Sequence, residues 1–235
     1  IGSDGAAMLS DGSSVRAGVI IGADGPRSAV GRIVGHENKD VSESRQITMP
    51  LLRPFEATDI FLSPDFPGGY GWLFPKGDVA NLGIGVAQAE RHRLKALLEA
   101  LHAQLVDEGR VGREILSHTG GAIPAGGMVD PVATRDGVTV LLAGDAAGLA
   151  NPITGAGINP AVQSGALAGA AAAKISRGDI TAAEAYREDI EDLFGVSLAR
   201  AVRRRQDLLV AFASGVVRGA DLERGWIAFP AYWAA

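Results

Sequence analysis

Two apolar runs in the chain each end in a glycine–aspartate turn, and this repetition limits the folds that the chain can adopt. Residues 19–25 read Val-Ile-Ile-Gly-Ala-Asp-Gly, and residues 138–145 read Val-Thr-Val-Leu-Leu-Ala-Gly-Asp. Short apolar runs that end in such turns are typical of buried strands. A helix should follow each turn, one over residues 28–34 with Ser28 as its cap and one beginning near Gly157. The pattern predicts an α/β (α+β) fold whose strand-turn-helix units direct backbone amides at a ligand.

The stretch between the two turns is extended and rich in aromatic residues. Its strands are predicted at residues 46–51, 57–62, 69–74 and 79–86, with a hairpin loop at residues 76–78, so we expect an antiparallel sheet. Leucines at helical spacing predict a helix over residues 89–106, a Gly/Pro-rich connection follows at residues 120–131, and helical periodicity dominates the end of the chain. The chain opens at Ile1 inside an apparent meander, so we expect its natural start upstream.

Composition excludes several classes of function. A net charge of -5 provides no basic face for nucleic acid. The chain has no cysteine, and its four histidines show no metal-binding spacing, so we predict no metal site. The most apolar helix, over residues 158–175, is interrupted by polar residues, and we expect a cytoplasmic protein with a peripheral membrane contact left open. Four arginines near the end of the chain are interpreted as a solvated helix face, in preference to a contact with a lipid diphosphate or an anionic membrane surface: Arg200, Arg203, Arg204 and Arg205.

Two aspartates at the predicted strand ends are candidates for ligand binding. Asp24 with Gly25, and Asp145 with Gly144, would present carboxylates to a polyol or pyrophosphate, and the helix after Gly157 would direct its positive dipole end at the same ligand. A second interpretation is purely structural. In it, Asp24 caps backbone amides and the Ala/Gly-rich helix packs against a sheet.

Three aromatic residues lie at alternate positions of one predicted strand. Tyr70, Trp72 and Phe74 should therefore share one face of the sheet, where they would form an apolar wall. The alternative is that they pack the sheet onto a helix.

These segments together resemble a known group of flavoproteins. Residues 22–28 and residues 144–157 are similar to the second and third fingerprints of p-hydroxybenzoate hydroxylase-type flavoproteins, and residues 67–75 (Pro-Gly-Gly-Tyr-Gly-Trp-Leu-Phe-Pro) resemble the PxxYxWxFP motif of geranylgeranyl reductases. The first fingerprint, GxGxxG, does not occur in the chain, so we expect it to bind FAD weakly or not at all by itself. The resemblance implies that residues 1–45 and 120–178 form a partial Rossmann-like FAD-binding domain. Residues 46–119 would be the inserted antiparallel substrate domain with one helix, and residues 179–235 a helical C-terminal region.

The resemblance also implies a reaction and a set of site residues. Hydride transfer from reduced FAD would saturate carbon–carbon double bonds of an isoprenoid lipid, with NAD(P)H or ferredoxin as the electron donor. No residue can be assigned as the general acid. The aromatic wall of Tyr70, Trp72 and Phe74 would bind substrate. The implied cofactor-binding residues are Asp24, Gly25, Gly144, Asp145, Pro152, Thr154, Gly155, Ala156, Gly157 and Ile158.

Three other functions are compatible with the same fold. A flavin-dependent monooxygenase is one, although aromatic hydroxylases usually carry His and Asp where this chain has Gly148 and Ser164. A quinone-linked electron-transfer flavoprotein is the second. The third is a non-enzymatic, truncated chain that folds but binds no flavin alone.

Overall fold

The structure is a computed structural model that describes residues 6–234, and the chain separates into two compact units. One unit contains the chain up to Asp40 together with Pro124–Arg203. The other contains Val41–Ile123 together with the chain from Arg204 onward. The meander start expected at Ile1 lies outside the described residues.

The predicted strands and helices are present in the expected order, and β8 and β9 are additional strands that the sequence did not indicate. The strands are β1 (Ala6–Met8), β2 (Ser14–Arg16), β3 (Val19–Gly22), β4 (Val41–Pro50), β5 (Asp59–Phe61), β6 (Tyr70–Lys76), β7 (Val79–Ala87), β8 (Ser117–Pro124), β9 (Val132–Arg135) and β10 (Val138–Leu142). The helices are α1 (Ala29–Ile33), α2 (Leu94–Asp107), α3 (Ile158–Ile175), α4 (Ala182–Ile190), α5 (Val196–Ala213), α6 (Gly219–Arg224) and α7 (Pro230–Trp233). A 3-10 turn (Gly144–Ala147) follows β10.

The first unit contains a three-stranded sheet in the order β3-β10-β9. β10 pairs in parallel with β3 and antiparallel with β9, which leaves β3 at the edge. The strand predicted at residues 17–21 is present as β3, but the prediction that it is buried was wrong, because among residues 6–234 it pairs on one side only and keeps more of its surface accessible. Ile21 is 39% exposed, whereas Leu141, its neighbour on β10, is fully buried.

Helices α3 and α4 complete the core of this unit. Ala168 and Ala171 on α3 are buried with Tyr186 and Ile190 on α4 and with the apolar residues of β10. The Tyr186 hydroxyl donates a 2.6 Å hydrogen bond to the carbonyl of Leu142, at the end of β10. A buried hydroxyl needs such a partner, so this bond fixes where α4 lies along the strand.

The second unit is built on a five-stranded sheet in the order β5-β6-β7-β4-β8. The pairs β5–β6, β6–β7 and β7–β4 are antiparallel, as the sequence predicts. One face carries alternate apolar residues such as Leu73 and Ile84, and these pack against the leucines of α2. Tyr70, Trp72 and Phe74 alternate with Leu73 and lie on the opposite face.

β8 extends this sheet into the Gly/Pro-rich connection, which the sequence did not indicate. The strand reaches that position because Gly120 has no side chain. A Cβ there would lie 2.4 Å from the carbonyl oxygen of Ser44 on β4. Glycine is needed at position 120 because two strand backbones approach closely there, and not because the chain forms a loop.

Within residues 6–234, none of the helices combines the length and the apolar character that a bilayer crossing requires. Over the same residues, no three side chains among His, Asp and Glu are grouped so that they could hold a metal ion.

Candidate functional site

The turn after β3 places Asp24 so that its carboxylate contacts the first turn of α1. Asp24 accepts hydrogen bonds from the Ser28 hydroxyl at 2.5 Å and from the backbone amides of Ala29 and Val30 at 2.7 and 3.2 Å. Partial burial raises the pKa of Asp24, but these hydrogen bonds outweigh it and leave the pKa below its ordinary value. Ser28 is the N-cap, as predicted. These contacts match the structural interpretation, in which Asp24 caps backbone amides. The role of Asp24 and Gly25 in cofactor binding stays a prediction.

Asp145 has a contrasting environment at the end of β10. Its side chain is half-buried, and no described residue donates a hydrogen bond to its carboxylate. Burial raises the pKa of Asp145 above the ordinary value. Gly144 before it has φ +56°, and its amide donates to the Ser164 hydroxyl at 2.9 Å. A carboxylate held at a fixed position without a partner is suited to accept hydrogen bonds from a bound polyol.

Asn38 joins the two turns and was missed from the sequence. Its side-chain amide donates to the carbonyl of Pro26 at 3.0 Å and to the carbonyl of Asp145 at 2.9 Å. Its Oδ1 atom is buried and has no hydrogen-bond donor within the described part of the chain. An isolated asparagine among charged residues gave no signal of this role, because both of its partners are backbone groups distant in sequence.

The loop at residues 151–157 is folded around the side chain of Asn151. The Asn151 Oδ1 atom accepts hydrogen bonds from the amides of Ile153 and Thr154 at 2.9 and 3.1 Å. Two backbone bonds close the loop, from the amide of Gly155 to the carbonyl of Asn151 and from the amide of Asn151 to the carbonyl of Ala156. Pro152 and Ile153 are buried beneath it. The loop is therefore held in shape by its own hydrogen bonds.

This loop brings the N-terminus of α3 next to Asp145. A Cβ at Gly157, the N-cap residue of α3, would lie 3.0 Å from Oδ1 of Asp145. No side chain among residues 6–234 caps the helix, and Ile158 in its first turn is 85% exposed. Uncapped amides at a helix N-terminus attract anionic or electron-rich groups. The predicted residues 144–145 and 152–158 are thus assembled in one place, whereas their contact with a cofactor stays a prediction.

In the second unit, the three predicted aromatic residues form a continuous row on β6. Ring centroids are 5.5 Å apart between Tyr70 and Trp72 and 6.0 Å apart between Trp72 and Phe74. Phe74 is 36% exposed, but Trp72 is only 8% exposed. Burial raises the pKa of Tyr70 to about 12, so its hydroxyl keeps its proton at neutral pH. Contact of this row with substrate stays a prediction.

Trp72 is held in one orientation by its neighbours on the sheet. Its indole nitrogen donates to Oε1 of Gln46 at 3.0 Å. The ring lies over Gly83, the residue paired with Trp72 on β7, where a Cβ would be 2.1 Å from Cζ2 of the indole. The absence of a side chain at Gly83 is what allows the ring to lie flat on the strand.

A fourth aromatic residue, Trp226, extends the row. Its ring meets Tyr70 edge-on with centroids 4.6 Å apart. The residue follows α6 and is partly exposed. No short-range pattern could have identified it, since the contact joins residues far apart in the chain.

Two of the four clustered arginines are not on a solvated face, so that interpretation was wrong for them. Arg205 is 3% exposed and donates to the carbonyl of Gly68, two residues before Tyr70. Arg204 is 9% exposed and donates to the carbonyls of Tyr232 and Ala234. The hydrogen bonds to these carbonyls offset part of the cost of burying the two guanidinium groups.

Comparison with known proteins places these features in a family. The model of the geranylgeranyl reductase catalytic domain matches residues 45–123. The chain is 34% identical over 230 residues to a digeranylgeranylglycerophospholipid reductase of Methanocella arvoryzae, covering 91% of this chain and 57% of that protein. It is 37% identical over 175 residues to digeranylgeranylglycerophospholipid reductase 2 of Methanosphaera stadtmanae, covering 70% of this chain and 43% of that protein. The chain thus spans about half the length of the curated relatives that it matches.

Solved structures agree with the fold. A geranylgeranyl bacteriochlorophyll reductase-like protein of Thermoplasma acidophilum superposes with a TM-score of 0.73 at 25% identity, over 90% of this chain and 59% of that chain. A probable FAD-dependent monooxygenase of Pseudomonas aeruginosa, pqsL, superposes with a TM-score of 0.59 at 25% identity, over 88% of this chain and 60% of that chain. The fold is therefore one that flavin-dependent enzymes use.

Proposed function

Because this chain belongs to the geranylgeranyl reductase family, we propose that it acts in an FAD-dependent oxidoreductase that reduces carbon–carbon double bonds of isoprenoid lipid chains. The observation that carries the proposal is the aromatic row on β6, which falls within the residues that match the catalytic domain. NAD(P)H or ferredoxin would supply the electrons.

The residues of the first unit fit a flavin. The polyol part of FAD offers hydroxyl groups, and Asp145 offers a half-buried carboxylate that lacks a hydrogen-bond donor among the described residues. The amides at the start of α3 lie beside that carboxylate, with Gly157 leaving room for close approach. A side chain at Gly157 would contact Asp145 and narrow the space between them, so the glycine supports the fit.

When bound, reduced FAD supplies the hydride that adds to one carbon of the double bond. The contribution of this chain is to bind and orient. The uncapped N-terminus of α3 would stabilise negative charge on the ring system, and Asp145 would hold the polyol chain in register with the loop at residues 151–157. Tyr70 and Phe74 would provide apolar surface for the isoprenoid chain and exclude water from it. Trp72 would act mainly as the buried support of the row, since little of its surface is accessible.

A turnover experiment with the chain tests this function. The chain is mixed with FAD in large excess, dithionite as reductant and a geranylgeranyl glycerophospholipid, and the lipid is analysed by mass spectrometry. We expect the mass of two hydrogens to be gained for each double bond reduced. Addition of oxygen to the lipid, or reduction of a quinone without change in the lipid, would contradict the proposal.

Two aspartate variants refine the test. In a longer chain that also supplies the first fingerprint, Asp145→Ala should weaken FAD binding in a fluorescence titration more than Asp24→Ala does. Of the two carboxylates, that of Asp145 lacks a hydrogen-bond donor among residues 6–234, whereas that of Asp24 accepts three hydrogen bonds. Asp24→Ala should instead lower the melting temperature, because it removes the acceptor for the Ser28 hydroxyl and for two backbone amides in the first turn of α1. Equal loss of FAD affinity in the two variants would count against the assignment of Asp145.

A further inference from the structure

The C-terminal helices enclose a groove that the proposed reductase function does not use. It has a volume of about 600 Å³ and lies between the second half of α5, the turn after it, and α6. Val210 and Val216 line it and are 70% and 60% exposed. Arg218 and Arg224 line it as well, and both are exposed. The groove therefore combines accessible apolar surface with positive charge.

Three arginines and two aspartates line the groove, so its lining carries a net charge of +1. Asp207 forms an ion pair with Arg204 at 3.7 Å. Asp221 accepts a hydrogen bond at 3.0 Å from the backbone amide of Arg218 at the start of α6. Within residues 6–234, no carboxylate forms an ion pair with the guanidinium of Arg218 or Arg224.

An exposed tryptophan lies close to the groove. Arg204, which lines the groove, donates to the carbonyls on either side of Trp233, those of Tyr232 and Ala234. Trp233 is 58% exposed, and its indole nitrogen donates to the carbonyl of Ile227 at 2.9 Å. Tryptophan and arginine beside exposed aliphatic residues are the combination that suits the interface between lipid headgroups and acyl chains.

Charge along the chain also distinguishes this end. Residues 204–235, which belong to the second unit, contain four arginines and three acidic residues, a net charge of +1, whereas the whole chain carries -5 and the preceding residues therefore carry -6. We propose that the groove and Trp233 form a docking surface for an anionic phospholipid membrane, with lipid phosphates at Arg218 and Arg224 and acyl chains against Val210 and Val216. This surface does not depend on flavin binding or on reductase activity.

Vesicle co-sedimentation tests the proposal. The chain should bind vesicles of phosphatidylcholine mixed with phosphatidylglycerol, bind vesicles of phosphatidylcholine alone much more weakly, and be released as salt increases. Replacing both arginines, Arg218→Gln with Arg224→Gln, should lower partitioning onto anionic vesicles about 30-fold, which corresponds to about 1 kcal/mol for each arginine near the surface. Replacing Val210 and Val216 by serine should lower it about threefold to tenfold, because part of the apolar burial is lost.

A matched control distinguishes binding at the groove from a general effect of the net charge of the chain. Arg91 and Arg113 are exposed arginines of the same unit, so the double variant Arg91→Gln with Arg113→Gln has the same net charge. It should bind anionic vesicles as the unaltered chain does. Equal loss in the control, equal binding to both kinds of vesicle, or full competition by millimolar inorganic phosphate would overturn the proposal. All arms are measured without FAD, so failure here and failure of the reductase proposal are distinguishable.

Discussion

The orientation of Trp72 depends on the absence of a side chain at Gly83, and Gly83→Ala tests this directly. The added Cβ would lie 2.1 Å from Cζ2 and 2.8 Å from Nε1 of the indole, so the ring must move off the strand. Overpacking of this kind costs about 1–3 kcal/mol. The displaced ring also loses its hydrogen bond to Gln46, which adds about 1 kcal/mol. We expect Gly83→Ala to lower the free energy of unfolding by about 2–4 kcal/mol.

A double-mutant cycle shows whether the indole is the cause. Trp72→Ala alone should cost about 3–5 kcal/mol, because it removes a buried aromatic ring. In the Trp72→Ala background the clash is gone, so Gly83→Ala should stabilise by about 0.5–1 kcal/mol through reduced backbone entropy of the unfolded chain. The two changes should therefore show a coupling energy of about 2.5–5 kcal/mol.

Urea denaturation followed by far-ultraviolet circular dichroism measures all four proteins of the cycle. Gly85→Ala is the matched control, since Gly85 lies two residues further along the same face of β7 and a Cβ added there would be 3.8 Å from its nearest neighbour. It should change the free energy of unfolding by less than about 1 kcal/mol. The reasoning fails if Gly83→Ala is as mild as Gly85→Ala, or if its effect is the same with and without Trp72.

Two further predictions concern the first unit. Tyr186→Phe removes the buried hydrogen bond to the carbonyl of Leu142, so urea denaturation should show a loss of about 1–2 kcal/mol, and an unchanged midpoint would contradict the role given to this bond. Burial raises the pKa of Asp145, so the folded chain holds this proton more tightly than the unfolded chain and loses stability as pH rises through the raised pKa. Flavin-free Asp145→Asn should therefore melt at a higher temperature than the unaltered chain at pH 7, and the difference should disappear below the ordinary carboxyl pKa; a lower melting temperature at pH 7 would refute this.

The sequence by itself determined the local features of the site. Apolar runs that end in glycine and aspartate identified β3 and β10, and period-two alternation placed Tyr70, Trp72 and Phe74 on one face of β6. These features depend on residues adjacent in the chain or a few positions apart, where backbone geometry fixes the relation between side chains. The family followed from the same motifs.

The tertiary structure decided which aspartate carboxylate lacks a hydrogen-bond donor among the described residues, and which residues complete each site. Asp24 and Asp145 occupy equivalent positions in sequence, yet α1 begins close enough to Asp24 to use its carboxylate, whereas Asp145 faces the glycine of a loop. Asn38 and Trp226 act through partners far away in the chain, one through backbone carbonyls and one through a ring edge. Such contacts leave no periodic pattern in the sequence, because they depend on long-range packing and not on the identity of neighbouring residues.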